Sequence, residues 1–196
     1  ASIINANCGT EENCNVILYN ESGVSYINIE GFTITGANTN GLVTGAIGDC
    51  GQGCESNIDS LKLDNMIFVD NIGTDVWFGL ATVTKAIIEN STFINPPYSS
   101  CDLDCEYTIL YELVSNNPIE IKNCLFYGGS TPSWVNNYSA EYCLAWAADT
   151  YDSFATGEGN LVTRDPLLCD IENGNYSLAA NSPAIGAGEN GSNIGA

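Results

Sequence analysis

The clearest pattern in the chain is an eight-residue motif that occurs four times. Apolar residues occupy its first and third positions, Asn or Gly its fifth, and Ile or Phe its eighth. The copies are Ile27-Asn-Ile-Glu-Gly-Phe-Thr-Ile34, Leu61-Lys-Leu-Asp-Asn-Met-Ile-Phe68, Ala86-Ile-Ile-Glu-Asn-Ser-Thr-Phe93 and Ile119-Glu-Ile-Lys-Asn-Cys-Leu-Phe126. Alternating apolar positions predict a short strand with one buried face. Asn and Gly tolerate a left-handed backbone, so the fifth position predicts a sharp bend, at Gly31, Asn65, Asn90 and Asn123.

The pattern continues beyond the bend. We expect the sixth residue of each copy to face inward again, namely Phe32, Met66, Ser91 and Cys124. The eighth residues should form an interior stack of Ile34, Phe68, Phe93 and Phe126. The Asn side chains at the bends should bond from one copy to the next.

A second apolar run recurs between the copies. Its members are Val16–Tyr19, Gly41–Thr44, Val76–Phe78, Thr108–Tyr111 and Cys143–Trp146. Copies of the motif start 25 to 34 residues apart, which suits a solenoid coil with loop insertions. The prediction is an all-β parallel β-helix with three short strands per coil and almost no α-helix. The alternative is a β-sandwich, which requires hairpin turns every 8 to 12 residues.

The end of the chain carries further motifs. They are Asn160-Leu-Val-Thr-Arg-Asp-Pro-Leu-Leu168, Asn173-Gly-Asn-Tyr-Ser-Leu178, Asn181-Ser-Pro-Ala-Ile-Gly-Ala-Gly188 and Asn193-Ile-Gly-Ala196. With the repeats, they resemble the secreted right-handed parallel β-helix repeat proteins of the pectate-lyase-like superfamily. The resemblance implies one β-helix domain over residues 1–196, in which residues 160–196 close the last coils. It does not imply a function, because that family includes lyases, glycosidases and adhesins.

Charge and cysteine content indicate the environment. The formal net charge is −20, with 24 acidic and only 4 basic residues. The charge argues against nucleic acid and anionic membrane surfaces as partners, because both require basic patches. No apolar run is long enough to span a membrane. Nine cysteines favour an oxidising compartment, so we expect a secreted or cell-surface protein.

Several cysteines are close enough in sequence to form disulfides. The candidate pairs are Cys8 with Cys14, Cys50 with Cys54, Cys101 with Cys105, and Cys124 with Cys143. Cys169 is then left over, since the number is odd. The alternative for the two Cys-x-x-x-Cys pairs is a zinc site, although the chain has no His and the spacing is not the usual one.

Sequence motifs also predict modification and ion binding. Asn-x-Ser/Thr sequons favour glycosylation at Asn20, Asn137, Asn175 and Asn190, whereas the sequon at Asn90 falls on a predicted bend. The loop with Asp102, Asp104 and Glu106 offers alternating oxygen ligands for Ca²⁺. This loop does not have the residues of an EF-hand.

Charged residues share one register of the motif. Its fourth positions are Glu30, Asp64, Glu89 and Lys122, which predicts a row of stacked charges on the solvent face. We expect Lys122 to neutralise Glu89, so that Glu30 and Asp64 remain as the notable pair. We favour a solvated edge of ordinary charges over a specific ion-binding site.

The candidate functions differ in the chemistry they need. A polysaccharide lyase is poorly provided for, because the chain has no His and few bases. A glycoside hydrolase needs two carboxylates, for which Asp64, Asp70, Asp75 and Glu89 are the candidates. The sequence favours a non-catalytic scaffold, adhesin or glycan-binding module, with Trp134 and Tyr138 as sugar-stacking residues. Expected partners are polysaccharides, other surface proteins, or further copies joined head to tail through the uncapped strand edge at 2–4.

Overall fold

The structure, a computed structural model, describes residues 2–5, 17–18, 26–37, 45–48, 57–71, 73–78, 82–95, 108–112, 118–129, 138–146 and 156–196. Strands dominate these ranges and most of them pair in parallel. The helical segments in them are two short 3-10 turns, Ile171–Asn173 and Glu189–Gly191. Neither turn has the length or the apolar character that crossing a membrane would require. The predicted parallel β architecture, nearly free of helix, is confirmed at this level.

The parallel strands form three larger sheets. The first sheet consists of Tyr26–Glu30, Ser60–Asp64, Ala86–Glu89, Ile119–Lys122 and Tyr138–Glu141. The second sheet consists of Ser2–Asn5, Phe32–Thr35, Ile67–Val69, Thr92–Ile94, Leu125–Tyr127, Leu144–Trp146 and Leu161–Val162. The third sheet consists of Ile17–Leu18, Gly45–Gly48, Thr74–Phe78 and Thr108–Glu112. In each sheet, the order of the strands is their order in the chain.

The remaining strands form two separate pairs. Asn57–Ile58 and Thr82–Val83 pair in parallel, whereas Leu168–Asp170 and Asn175–Leu178 form an antiparallel hairpin.

The register between repeats is the one that the motif predicts. Each copy pairs residue for residue with the next, as in Ile29 with Leu63 and Ile34 with Phe68. The rings of Phe68, Phe93 and Phe126 stack in the interior, with centroids 4.8 and 5.1 Å apart. Apolar side chains from all three sheets meet in one continuous core.

The bends between the first and second sheets are also as predicted. Gly31, Asn65, Asn90 and Asn123 all have positive φ, between 51° and 77°. The Asn123 amide donates to Asn90 Oδ1 (3.3 Å), and the Asn90 amide donates to Asp64 Oδ1 (2.9 Å). Three successive repeats are therefore connected by side-chain hydrogen bonds.

A fifth copy of the motif, which the sequence pattern did not reveal, lies at 138–145. Tyr138–Glu141 pairs with Ile119–Lys122, and Leu144–Trp146 pairs with Leu125–Tyr127. Tyr142 occupies the bend position with φ of 53°, where the other copies have Asn or Gly. The assignment of Cys143–Trp146 to the same sheet as Thr108–Tyr111 is wrong, since its strand belongs to the second sheet. Of the other predicted runs in that set, 41–44 lies outside the described residues.

The C-terminal segment lies along the outer face of the second sheet. Phe126 points inward, so its neighbour Leu125 points outward, and it packs with Leu144, Ala184 and Ile194 in a second apolar cluster. The backbone N–H of Gly195 donates to Asn123 O (2.7 Å), and that of Ala196 donates to Thr92 Oγ1 (2.9 Å). The segment therefore covers several repeats from the side.

Cys124 and Cys143 are both free thiols, so the disulfide predicted between them is not formed in the structure. They lie at equivalent positions of neighbouring repeats, where each Sγ donates to the carbonyl two residues earlier, Lys122 O at 3.2 Å and Glu141 O at 3.3 Å. Burial, together with a hydrogen bond to Cys143, raises the pKa of the Cys124 thiol. Cys169 is free and exposed. The six cysteines of the other predicted pairs lie outside the described residues.

Candidate functional site

The outer face of the first sheet carries paired charges. Lys62 alternates with the inward Leu61 and Leu63, so it points outward on the same side as Asp64. Its ammonium forms an ion pair with Asp64 Oδ2 (3.0 Å) and another with Glu89 Oε1 on the neighbouring strand. Hydrogen bonds to Glu89 and Asp64 raise the pKa of Lys62. The predicted pairing of Glu89 with Lys122 is therefore wrong, because Lys62 reaches Glu89.

Asp64 is held in its charged form by this arrangement. Burial acts to raise the pKa of Asp64, but hydrogen bonds from Asn90 and Lys62 outweigh burial and lower it. A carboxylate with a lowered pKa and a bound lysine is a poor general acid near neutral pH.

The remaining described lysines are paired as well. Lys122 Nζ lies 3.3 Å from Glu141 Oε2 and 3.4 Å from Glu189 Oε1, and these contacts raise the pKa of Lys122. Lys85 Nζ lies 2.9 Å from Glu120 Oε1. The side chains of these ion pairs are 18 to 42% exposed, so their charges neutralise one another at a partly solvated surface, where each pair contributes little to stability.

The four candidate catalytic carboxylates do not converge on one site. Asp64 and Glu89 share Lys62 on the first sheet, whereas Asp70 lies exposed at the bend after the second-sheet strand Ile67–Val69. Asp75 is only 1% exposed, so a substrate cannot reach it in this conformation. Among the described residues, no three His, Cys, Asp or Glu side chains are grouped to hold a metal ion.

Asp75 belongs to a buried polar cluster that the sequence pattern did not indicate. Asn71 Nδ2 donates to its Oδ1 (3.1 Å), and Asn95 Nδ2 donates to its Oδ2 (3.2 Å). Burial raises the pKa of Asp75 to about 7, against the opposing effect of these two hydrogen bonds. The sequence signal for this cluster was an Asn shortly after the second-sheet strand of two successive repeats, namely Asn71 and Asn95.

A groove of about 360 Å³ separates the second sheet from the C-terminal hairpin. The second sheet contributes its outward side chains, Ile3, Thr33, Thr35, Ile67 and Val69. The opposite wall consists of Gly174, Asn175, Tyr176, Ser177 and Ala196. Its volume lies at the lower end of the range of small-ligand sites.

The groove combines hydroxyl groups, an amide and one aromatic ring. Among the described residues that line it, no side chain is charged. Tyr176 is half-buried, and burial, with a smaller effect of Asp70, raises the pKa of its phenol. The available signal was the pair Thr33 and Thr35, at outward positions on the strand that ends the first motif copy. The opposite wall lies about 140 residues further along the chain.

The structure places only some of the other predicted site residues. Tyr138 takes the inward register of Ile119 and packs half-buried against the core. Asn175 and Asn190 are exposed, whereas the Asn90 amide is engaged between repeats. Outside the described residues lie Trp134, Asp102, Asp104, Glu106, Asn20 and Asn137.

No protein-family model matches the chain, and neither a curated protein nor a solved structure matches it.

Proposed function

We propose that this protein is a secreted or cell-surface right-handed parallel β-helix that binds a neutral polysaccharide without cleaving it. The observation that carries the proposal is the groove between the second sheet and the C-terminal hairpin. Its lining offers the two kinds of contact that a sugar uses, namely hydrogen bonds to hydroxyl groups and apolar contact with an aromatic ring.

The stacking of the repeats supports the β-helix. In all three sheets the strands follow chain order and pair in register, so each repeat adds one strand to each sheet that it visits. Sequential addition of parallel strands is the defining property of a solenoid.

The chemistry of the groove supports a neutral ligand. Thr33 and Thr35 are two residues apart on one strand, so both hydroxyls lie on the same side of the sheet. Asn175 and Ser177 have the same relation on the hairpin strand. A uronate polymer would need cationic partners, which the lining does not provide.

The state of the carboxylates supports binding without cleavage. A glycoside hydrolase needs one carboxyl group that retains a proton near its working pH and a second one beside it. Asp64 has a lowered pKa and is bound to Lys62, while Asp75, whose pKa is raised, is sealed in the interior.

The test is isothermal titration with hexasaccharides of neutral glucan, xylan, mannan and galactan, together with an oligouronate. We expect one neutral series to bind. Thr35→Val should weaken binding about fivefold, the equivalent of one hydrogen bond of about 1 kcal/mol. Tyr176→Ala should weaken it about tenfold through loss of the ring.

Matched controls come from the same residue types outside the groove. Thr163→Val changes an exposed threonine, and Tyr26→Ala removes a ring that is 56% exposed on the first sheet. Both should bind like the unmodified protein. No binding by any neutral series, or equal losses in the controls, contradicts the proposed site. Release of reducing ends that Asp64→Asn or Glu89→Gln abolishes would instead establish the enzyme alternative.

A further inference from the structure

The third sheet contains a carboxylate that forms no ion pair with the basic side chains of the described residues. Asp75 lies in the strand Thr74–Phe78, and its side chain is 1% exposed. Its two oxygens each accept one hydrogen bond, from the amide groups of Asn71 and Asn95. A buried ionised carboxylate is costly unless it is paired with a charge, and two neutral donors offset only part of that cost.

The described basic residues lie elsewhere. The three lysines are occupied by carboxylates on the first-sheet face, and Arg164 is exposed in the C-terminal segment. Among the ionisable groups near the cluster, Asp70 lies on the same bend as Asn71 and is exposed. In the neighbouring third-sheet strands, the register places the non-ionisable Ala46 and Ile109 opposite Asp75.

The cluster connects three successive repeats. Asn71 Nδ2 also donates to Ile34 O (3.2 Å), and Asn71 Oδ1 accepts from the backbone N–H of Ala37 (3.1 Å), both in the preceding repeat. Asn95 belongs to the following repeat. Asp75 therefore fixes the orientation of the Asn71 amide, which in turn bonds to the backbone of the preceding repeat.

One atom of the cluster shows what the charged form leaves unsatisfied. Asn95 Oδ1 is buried and has no hydrogen-bond donor in the described part of the chain. A protonated Asp75 gains an O–H donor. Such a donor is what the cluster lacks, since an ionised carboxylate can only accept hydrogen bonds.

We propose that Asp75, Asn71 and Asn95 form an internal proton-binding latch, which holds three repeats together more strongly when Asp75 is protonated. The proton comes from solvent and stays on the Asp75 carboxyl, so no further reactant is needed. Because burial raises the pKa of Asp75 to about 7 from an ordinary 3.8, the folded protein binds more protons than the unfolded chain between these values. Stability from this group is thus gained as the pH falls from about 7 to 4 and lost as the pH rises through 7.

The test compares urea unfolding of the full chain and of Asp75→Asn between pH 5 and 8.5. The amide introduced by this substitution imitates the neutral acid and cannot ionise. We expect the folding equilibrium of the unmodified protein, relative to Asp75→Asn, to improve about 50-fold from pH 7 to pH 5. The control is Asp70→Asn, which changes an exposed carboxyl group on the bend beside Asn71, at a position with positive φ. Its pH profile should follow that of the unmodified protein.

Carbon-13 NMR of protein labelled at the Asp carboxyl carbons tests the same proposal without relying on a folded variant. We expect one Asp resonance to titrate near pH 7. Parallel pH profiles for the unmodified protein and Asp75→Asn, or titration of every Asp resonance near pH 4, would overturn the latch. Neither measurement involves a glycan, so the outcome is independent of the groove.

Discussion

At the scale of single residues, Asn90 combines a backbone role with a side-chain role. Its φ of 51° lies in the left-handed region, which Asn tolerates better than other residues with a Cβ. Its amide donates to Asp64 and its side-chain oxygen accepts from Asn123. The bend and the connection between repeats therefore depend on the same side chain.

Two substitutions at this position separate the two roles. Asn90→Gly should lower the free energy of unfolding by roughly 1.5 kcal/mol, because it removes the hydrogen bonds but retains the backbone geometry. Asn90→Ala should lower it by roughly 3 kcal/mol, because Ala also bears the left-handed strain. Urea unfolding of the two variants, produced in a host that does not glycosylate, measures these free energies. Equal losses of stability in Asn90→Gly and Asn90→Ala would show that the backbone conformation contributes nothing.

Residue identity predicts some of these positions and hides others. Asn65, Asn90 and Asn123 could be assigned to bends because the residue type itself favours the conformation. Tyr142 adopts the same conformation without any such preference, and its ring lies against Gly159, where an added Cβ would collide with it. Asp75 was a candidate catalytic carboxylate, but it is buried. The burial of a carboxylate becomes evident only when the two amides that donate to it are located.

At the scale of elements, a local pattern predicts a strand better than it predicts the sheet. The run Cys143–Trp146 alternates like a strand and forms one, but its sheet was assigned wrongly. The fifth motif copy escaped detection because Tyr142 and Ala145 replace the Asn and Phe that define the others. The groove could not be predicted from such patterns, since its walls come from segments more than 100 residues apart in the chain.

The C-terminal segment illustrates how a glycine can decide the docking of an element. An added Cβ at Gly195 would lie 2.7 Å from Thr92 Oγ1 and 3.1 Å from Leu125 Cβ. At Gly191, which also has positive φ, an added Cβ would meet nothing within 4 Å.

This pair of glycines gives a matched test of docking. Gly191→Ala should cost roughly 1 kcal/mol of stability, from backbone strain alone. Gly195→Ala should cost roughly 1–2 kcal/mol more, because the methyl group displaces the segment from the second sheet. Urea unfolding measures the difference, and limited proteolysis with mass spectrometry should show faster cleavage within 164–196 in Gly195→Ala only. Identical behaviour of the two variants would mean that the segment docks without the Gly195 contact.

At the scale of the whole molecule, the parallel sheets leave strands at their ends. The second sheet begins with the strand Ser2–Asn5, and the first sheet begins with Tyr26–Glu30. Among the described residues, each of these strands has a paired neighbour on one side only. Ile3 and Tyr26 on these strands are 71% and 56% exposed. Such edges can pair with another chain, whereas a net charge of −20 opposes the approach of a second copy.

Head-to-tail association should therefore depend on salt. At 0.01 M ionic strength charge repulsion extends about 30 Å, and it falls to about 8 Å at 0.15 M. We expect sedimentation velocity to show a monomer at low salt and concentration-dependent association at high salt. Ile3→Lys, which places a charge on the edge strand, should abolish the association.

The control for the edge is Ile185→Lys, which adds the same charge at a residue that is 45% exposed and lies outside the strands. Both variants change the net charge equally, so a difference between them isolates the edge from general electrostatics. Association that Ile185→Lys weakens as much as Ile3→Lys would show that the loss does not come from the edge strand, because the added positive charge by itself reduces the repulsion between copies. A monomer at every salt concentration would show that these edges do not pair, and would leave the groove as the surface through which the molecule meets its partners.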